Sequence, residues 1–91
     1  MSTKTMPPVH PGEILSEEFL VPLGLSQRAL AIALRIPSQR VHDLVHGRRG
    51  MTLDTAARLA RYFGTTPAFW LNLQTQYDLE TAEDAGLFDR L

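Results

Sequence analysis

The chain has 91 residues, of which 44% are hydrophobic, and this length suits a single compact domain over residues 1–91. It contains no cysteine, which excludes disulfide scaffolds, thiolate metal sites and cysteine nucleophiles. Its first residues do not resemble a secretion signal and no apolar run is long enough to span a bilayer, so we expect a cytoplasmic protein without a membrane partner. A domain of this size leaves much apolar surface exposed as a monomer, which favours a homodimer.

The charged residues are distributed unevenly along the chain. The formal net charge is −1, but residues 25–63 contain seven arginines against two aspartates, a balance of +5. Residues 1–24 have a balance of −2, and residues 64–91 have a balance of −4. A basic centre between acidic ends is typical of a protein that binds DNA with one surface and serves another purpose with the rest. The plainer alternative is a charged surface that contacts only water.

The spacing of apolar residues predicts an all-α fold of five helices. Their approximate bounds are 11–20, 26–34, 38–46, 52–63 and 66–77. Ser26 suits the N-cap of the second helix, and Gly47 suits the left-handed position after the third. A tight turn at residues 35–37 separates these two helices. Together they predict a helix-turn-helix over about residues 26–47.

The third helix has the pattern of a DNA-reading element, because one side is apolar and the opposite side is polar. The polar side presents Gln39, Asp43 and His46, with Arg40 and His42 at its flanks. A short helix with such a face fits the major groove of B-DNA. Arginine matches the paired acceptors of guanine, and glutamine matches adenine. Asp43 either accepts from cytosine, orients Arg40 or repels incorrect sequences.

Flanking residues are suited to phosphate contacts. Gln27 and Arg28 open the second helix, where free amides and the positive end of the dipole favour an anion. Arg48 and Arg49 follow the third helix. Such contacts supply affinity and position without reading sequence. Each of these side chains also has the plainer interpretation of a solvated polar group.

The fifth helix is apolar on more than one side, which indicates more than one partner surface. One side closes the core, and the other is a candidate dimer interface, where aromatic residues are favoured. The residues concerned are Phe69, Trp70, Leu71, Leu73 and Tyr77. Each aromatic residue is equally consistent with a place in the core. The acidic segment at about 78–91 has weak helix signals and is predicted to be a loose tail or a partner-binding extension.

No arrangement of residues indicates an enzyme. The chain has no plausible nucleophile with its base, no paired carboxylates in a pocket and no phosphate-binding glycine loop. His42 and His46 have a spacing that suits a metal ion, but no third ligand is evident. We therefore expect no catalysis, no cofactor, no metal and no small-molecule substrate.

Several blocks of sequence resemble a known family. The segment from Leu25 to Ala31, the turn, and then Val41 and Leu44 resemble the helix-turn-helix of the Cro/repressor class. Longer blocks resemble the HigA-type antitoxins of bacterial toxin–antitoxin modules, and the resemblance covers about residues 9–82. These blocks are His10-Pro11-Gly12-Glu13-Ile14-Leu15, Glu17-Glu18-Phe19-Leu20, Pro22-Leu23-Gly24-Leu25-Ser26, Gly47-Arg48-Arg49 and Phe69-Trp70-Leu71-Asn72-Leu73-Gln74.

The resemblance implies a five-helix Cro/repressor-like domain that binds a palindromic operator as a homodimer and represses its own operon. It also implies a partner, a HigB-type toxin that cleaves messenger RNA and that the antitoxin neutralises. The DNA contacts it implies are Gln27, Ser38, Gln39, Arg40 and Asp43, with Arg48 and Arg49 nearby. The alternative is a stand-alone repressor without a toxin, which shares every DNA-binding feature. A neighbouring gene for a short basic nuclease-like protein would distinguish the two.

The chain departs from the family at Arg35, where the turn usually carries glycine. A left-handed backbone there costs a non-glycine residue about 1 kcal/mol. Either the turn has another geometry, or Arg35 tolerates the strain and places a charge near DNA.

We predict that Arg40→Ala weakens sequence discrimination more than Arg48→Ala does. Base contacts specify the sequence, whereas phosphate contacts mainly supply general affinity. Affinities of both variants for operator and random DNA measure the difference. Equal losses on the two DNAs for both variants would contradict this division of roles.

Overall fold

The structure, a computed structural model, describes residues 7–90. It confirms the all-α fold, since five helices follow one another and no strand occurs in this range. α1 is continuous over residues 11–23. The other helices are α2, Gln27–Leu34; α3, Ser38–Val45; α4, Leu53–Phe63; and α5, Pro67–Asp84. A short 3-10 turn, Phe88–Arg90, follows α5. No helix within the described range is long and apolar enough to cross a membrane.

Helix α1 changes its winding along its length. It consists of α-helical Pro11–Ile14, π-helical Leu15–Leu20 and α-helical Val21–Leu23. Pro22 has no backbone N–H, and in a regular helix its ring collides with the carbonyl four residues earlier. Here the Val21 N–H donates to the Ser16 carbonyl, five residues back, in the wider π turn. The helix therefore continues past Pro22, three residues beyond its predicted end at residue 20, and is terminated by Gly24, with φ 62°.

Hydroxyl side chains begin three of the helices. Those of Ser26, Thr52 and Thr66 each accept a hydrogen bond from the backbone N–H three residues later, at 3.0–3.3 Å. Each bond satisfies one of the free N–H groups at a helix start. The predicted starts of α2, α4 and α5 are confirmed. α3 follows Pro37 and has no side-chain cap.

Trp70 lies in the core of the chain. Its ring centroid is 5.0 Å from that of Phe19, and its indole N–H donates to Thr65 Oγ1 at 2.8 Å. The prediction that Trp70 belongs to a dimer interface is wrong, because its side chain is 0% exposed. The start of α5 packs on α1 and α4, and this side of α5 faces inward. The other buried apolar residues come from α1 to α4 and the loop before α4: Leu15, Leu20, Leu30, Ala31, Leu34, Val41, Leu44, Met51, Ala56, Leu59 and Ala60.

Helix α5 extends seven residues beyond its predicted end at Tyr77, to Asp84. The prediction of a loose tail from residue 78 is therefore wrong for residues 78–84, while Leu91 lies outside the described residues. Two side-chain hydrogen bonds at i, i+4 spacing support this part of the helix: Gln74–Asp78 at 2.9 Å and Gln76–Glu80 at 2.6 Å. None of residues 78–84 is buried, so this part of α5 needs no apolar stripe. The helix was therefore not evident from the spacing of apolar residues.

Helices α1 and α3 approach each other closely at Gly12. Gly12 is buried. A Cβ here would overlap the carbonyl oxygen of Leu44 and come within 2.9 Å of the Val45 Cα. Because those atoms belong to backbone, they have little freedom to move aside. Glycine therefore allows the start of α1 to rest directly on the last turn of α3.

We expect Gly12→Ala to destabilise the fold by about 3 kcal/mol or more, at the upper end of overpacking costs, because backbone atoms of α3 have to move. Urea unfolding followed by circular dichroism measures the loss. Gly24→Ala is the matched control. Gly24 has φ 62° but no atom within 4 Å of a Cβ position, so strain alone should cost about 1 kcal/mol. Equal losses for the two variants would rule out a steric role for Gly12.

Candidate nucleic-acid interface

Helices α2 and α3 and the turn between them form the predicted helix-turn-helix. Arg35 ends α2 in the left-handed conformation, with φ 59° and ψ 45°. It is the one non-glycine residue with positive φ in the described part of the chain. The Ile36 N–H donates to the Ala31 carbonyl at 3.1 Å. This is the helix-ending hydrogen bond that a left-handed residue, usually glycine, allows. Another turn geometry is therefore excluded. The Arg35 side chain lines an open groove of about 600 Å³ together with Arg58 and Arg61.

Buried apolar residues orient α3. Val41 and Leu44 are 1% and 2% exposed, and they seat α3 against α1 and α2. On the opposite side Gln39 and His46 are exposed and Asp43 is half-buried. These three residues are called the outer face of α3 below. The outer face has the composition that the helical periodicity predicts.

Two residues of the outer face are joined to each other. Gln39 Nε2 donates to Asp43 Oδ1 at 2.8 Å. The bond holds the Gln39 side chain along the helix and uses one N–H of its amide. A second N–H and the carbonyl oxygen complete the amide, and these are the two groups that pair with adenine. Asp43 therefore orients Gln39, a pairing that was not among the three roles considered for it.

The histidines of α3 stack on each other. The ring centroids of His42 and His46 are 4.1 Å apart, and His46 Nδ1 lies 2.9 Å from the His42 carbonyl oxygen. Within residues 7–90 no group of three or more His, Cys, Asp or Glu side chains is placed to hold a metal ion. The pair places two polar rings side by side along the edge of the outer face.

Arg40 lies on the flank of α3 that faces α4. Its Nη1 is 3.0 Å from Asp54 Oδ2, in the first turn of α4. The Arg40 side chain is 30% exposed and that of Asp54 is 57% exposed. The pair joins the predicted DNA-reading helix to α4. Sequence reasoning missed Asp54 as a partner of Arg40 because no local pattern links residues in different helices.

Arg58 fixes the Asp54 carboxylate from the other side. Its Nε donates to both carboxylate oxygens, at 3.2 and 3.0 Å, and its Nη1 donates to the Leu34 carbonyl oxygen at 2.8 Å. The hydrogen bonds from Arg58, and to a smaller extent the one from Arg40, hold the pKa of Asp54 below its usual value. Leu34 is the last residue of α2. One carboxylate and two guanidiniums thus connect α2, α3 and α4.

The predicted DNA contacts outside the outer face of α3 lie around the helix-turn-helix. At one end Gln27 is half-buried and Arg28 is exposed, in the first turn of α2. Ser38 is exposed at the start of α3. Arg48 and Arg49 are exposed in the loop between α3 and α4. The structure places these residues before, at the start of and after the predicted DNA-reading helix, and all but the half-buried Gln27 are exposed.

The loop that carries the two arginines has a fixed backbone. The Arg48 N–H donates to the Asp43 carbonyl at 2.8 Å. Further along, the Met51 N–H donates to Gln74 Oε1 of α5 at 2.6 Å. Gln74 also binds Asp78 through its Nε2. The loop is therefore attached to α3 at one end and to the middle of α5 at the other.

His10 packs where the start of α1, this loop and α5 meet. Its Nδ1 accepts the Gly12 N–H at 2.9 Å, which caps α1, and its ring meets the Tyr77 ring edge-on with centroids 4.9 Å apart. Burial lowers the pKa of His10, against the smaller opposing effects of the Asp78 charge and a hydrogen bond to the Arg49 backbone. The cap requires an unprotonated Nδ1, which also favours neutral histidine.

The remaining candidates for a dimer interface differ in exposure. Phe69 is 38% exposed, whereas Leu71, Leu73 and Tyr77 are half-buried. Leu71 and Leu73 pack against the core. Leu79, which sequence reasoning did not include, is 50% exposed on the extended part of α5. Apolar surface on α5 therefore continues beyond the predicted set.

Residues 17–68 match the helix-turn-helix domain family. Virulence-associated protein I of Dichelobacter nodosus is 56% identical over 78 residues, covering 86% of this chain and 72% of that protein. Antitoxin HigA-1 of Vibrio cholerae is 43% identical over 72 residues, covering 79% of this chain and 68% of that protein. The solved structure of the Pseudomonas aeruginosa antitoxin HigA with the higBA promoter is 48% identical, with a TM-score of 0.86, and the match covers 90% of this chain and 89% of that one.

We expect His10 to make the fold less stable in weak acid. Because its pKa is lower in the folded state than the usual 6.5, its contribution is complete above pH 6.5 and is lost as pH falls through the lowered pKa. Thermal unfolding midpoints across pH 5 to 8 measure the effect. His10→Asn keeps a side-chain cap but does not titrate, so its midpoint should vary less over this window. The same pH dependence in both proteins would show that His10 is not its source.

Proposed function

Because the chain belongs to the helix-turn-helix family of the HigA-type antitoxins, we propose that it binds an operator upstream of its own gene as a homodimer and neutralises a HigB-type toxin. It acts in the cytoplasm, as a single domain, without a metal, a cofactor or a catalytic step. Its regulator and antitoxin relatives agree with the prediction that it is not an enzyme.

The observation that carries the DNA-binding role is the seating of α3. Val41 and Leu44 anchor the helix, and the outer face is left free on the opposite side. Gln39, Asp43 and His46, with Arg40 and His42 beside them, act as the base-reading set. The similar P. aeruginosa antitoxin was solved with the higBA promoter, which supports DNA binding by this chain.

The polar surface residues around α3 contact the DNA phosphates. Arg28, with Gln27 beside it, holds one backbone strand at the start of α2, where the helix dipole favours an anion. Ser38 adds a contact at the start of α3. Arg48 and Arg49 extend from an anchored loop on the other side. These residues supply the salt-dependent part of the affinity.

A homodimer is required because one short helix reads only a few base pairs. Two copies related by two-fold symmetry read two half-sites of a palindrome, about 34 Å apart along the duplex. Phe69 is the exposed anchor of the interface on α5. Leu73 and Tyr77 follow on the same side of the helix at i+4 and i+8, and the half-buried Leu71 lies on the other side. Aromatic residues in such positions contribute strongly to association.

The toxin is the partner for the surface that DNA does not use. A nuclease that binds messenger RNA needs a basic surface to contact the RNA phosphates. Residues 64–91 have a balance of −4, which complements such a surface and is unfavourable to DNA. A stand-alone repressor lacks this partner but shares the DNA-binding features, so the toxin part of the test separates the two functions.

The test measures binding to the upstream DNA and to a scrambled duplex of the same length, across a salt series. We expect the upstream DNA to be preferred by about 10³-fold or more. Its affinity should fall as salt rises. Two chains should bind per operator, as analytical ultracentrifugation of the complex can show.

The second part adds the basic nuclease-like protein encoded by a neighbouring gene. We expect it to form a complex with this chain and to lose its mRNA cleavage. Operator preference without such a complex would leave the stand-alone repressor. No preference between the two DNAs would refute the operator function altogether.

A further inference from the structure

We propose that Asp54 is a positioning residue for sequence discrimination. It holds Arg40 in one orientation beside the outer face of α3 and keeps it from pairing with the phosphates of non-operator DNA. The proposal rests on the proposed function, in which Arg40 meets an operator base. Asp54 lies in α4, outside the helix-turn-helix, so it acts on DNA through Arg40.

The geometry restricts Arg40 at one end of its guanidinium. Nη1 is 3.0 Å from Asp54 Oδ2. A guanidinium carries five N–H donors in a rigid fork. The ion pair uses one side of the fork and leaves the remaining donors for the paired acceptors of a guanine. Arg40 is therefore oriented before DNA arrives, and DNA binding does not have to immobilise a free arginine.

The carboxylate is itself held in place, as positioning requires. Arg58 donates to both of its oxygens and, with its other arm, to the Leu34 carbonyl at the end of α2. The orientation of Asp54 is thus set by two helices rather than by its own rotamer. An exposed ion pair alone holds a side chain weakly. A carboxylate anchored by a second arginine holds it more firmly.

The charge of Asp54 also disfavours incorrect binding. The ion pair takes Arg40 away from the sequence-independent phosphate contacts that arginine makes readily, so this effect too acts through Arg40. Asp43 and Asp54 are the two acidic residues within residues 25–63. Each is hydrogen-bonded to a long polar side chain of α3, Asp43 to Gln39 and Asp54 to Arg40. The acidic residues of the basic centre thus both orient predicted base-reading side chains.

The experiment combines Asp54→Asn with Arg40→Ala in a double-mutant cycle. Each protein is titrated with the upstream DNA and with the scrambled duplex. Asp54→Asn alone should lower the ratio of the two affinities about tenfold, the size of one well-placed base contact. Most of this change should come from tighter binding to scrambled DNA. There the slope of log affinity against log salt should steepen by about one as Arg40 reaches a phosphate.

In the Arg40→Ala background, Asp54→Asn should leave the affinity ratio unchanged, because the residue through which it acts is absent. Asp89→Asn is the charge-matched control at the far end of the chain, and it should leave the ratio at its wild-type value. Asp54→Glu keeps a carboxylate and should retain most of the discrimination. It also provides the comparison if Asp54→Asn fails to fold by circular dichroism.

Two results would overturn the proposal. The first is an unchanged affinity ratio in Asp54→Asn. The second is an equal drop in the presence and absence of Arg40, which would assign the effect to overall charge or to the fold. A wild-type protein with no preference between the two DNAs would instead refute the proposed operator function, so the two failures are distinguishable.

Discussion

The direct contact of α1 with α3 at Gly12 is the constraint on which the rest of the interface depends. α3 has eight residues and no side-chain N-cap, and a helix this short is marginal without tertiary packing. Its packing comes from the buried Val41 and Leu44 on one side and from the start of α1 against its last turn. Once the C-terminal end of α3 is held, the helical repeat determines where every outward side chain points. The arrangement of the outer face of α3 therefore depends on the absence of a side chain at Gly12 in another helix.

Local signals were sufficient to predict most of the fold. Hydroxyl residues such as Ser26 and Thr52 act within three residues of themselves, so their capping role can be read without tertiary information. The outer face of α3 follows from the same reasoning, because a buried stripe determines its opposite side. The errors occurred on α5, where the burial of Trp70 depends on neighbours outside the helix and residues 78–84 have only a weak apolar pattern. An aromatic residue has the same pattern in a core and in an interface, and only packing separates the two.

The contacts that refine the interface were beyond the reach of sequence patterns. Arg40 and Asp54 are separated by 14 positions, and Arg58 reaches a carbonyl 24 positions away. Such pairs form when helix packing brings the sides of two helices together. The sequence offers several acidic residues as possible partners for each arginine and does not show which of them will be near. Orienting Arg40 was one of the three roles considered for Asp43, and residues three apart on a helix do lie within reach of each other, so the sequence could not exclude that pair. The one-turn pair, Gln39 with Asp43, is the one that forms.

The hydrogen bond between Gln74 and the Met51 N–H has a consequence for how two copies of this chain would respond to one another. It ties the loop that carries Arg48 and Arg49 to the middle of α5, the helix that also carries the exposed Phe69. In a dimer that packs through α5, the way the two α5 helices pack would then set the distance between the Arg48–Arg49 pairs of the two copies. A change in the angle between the two α5 helices would therefore change the distance between the arginine pairs of the two copies, and this distance would no longer match the helical repeat of DNA.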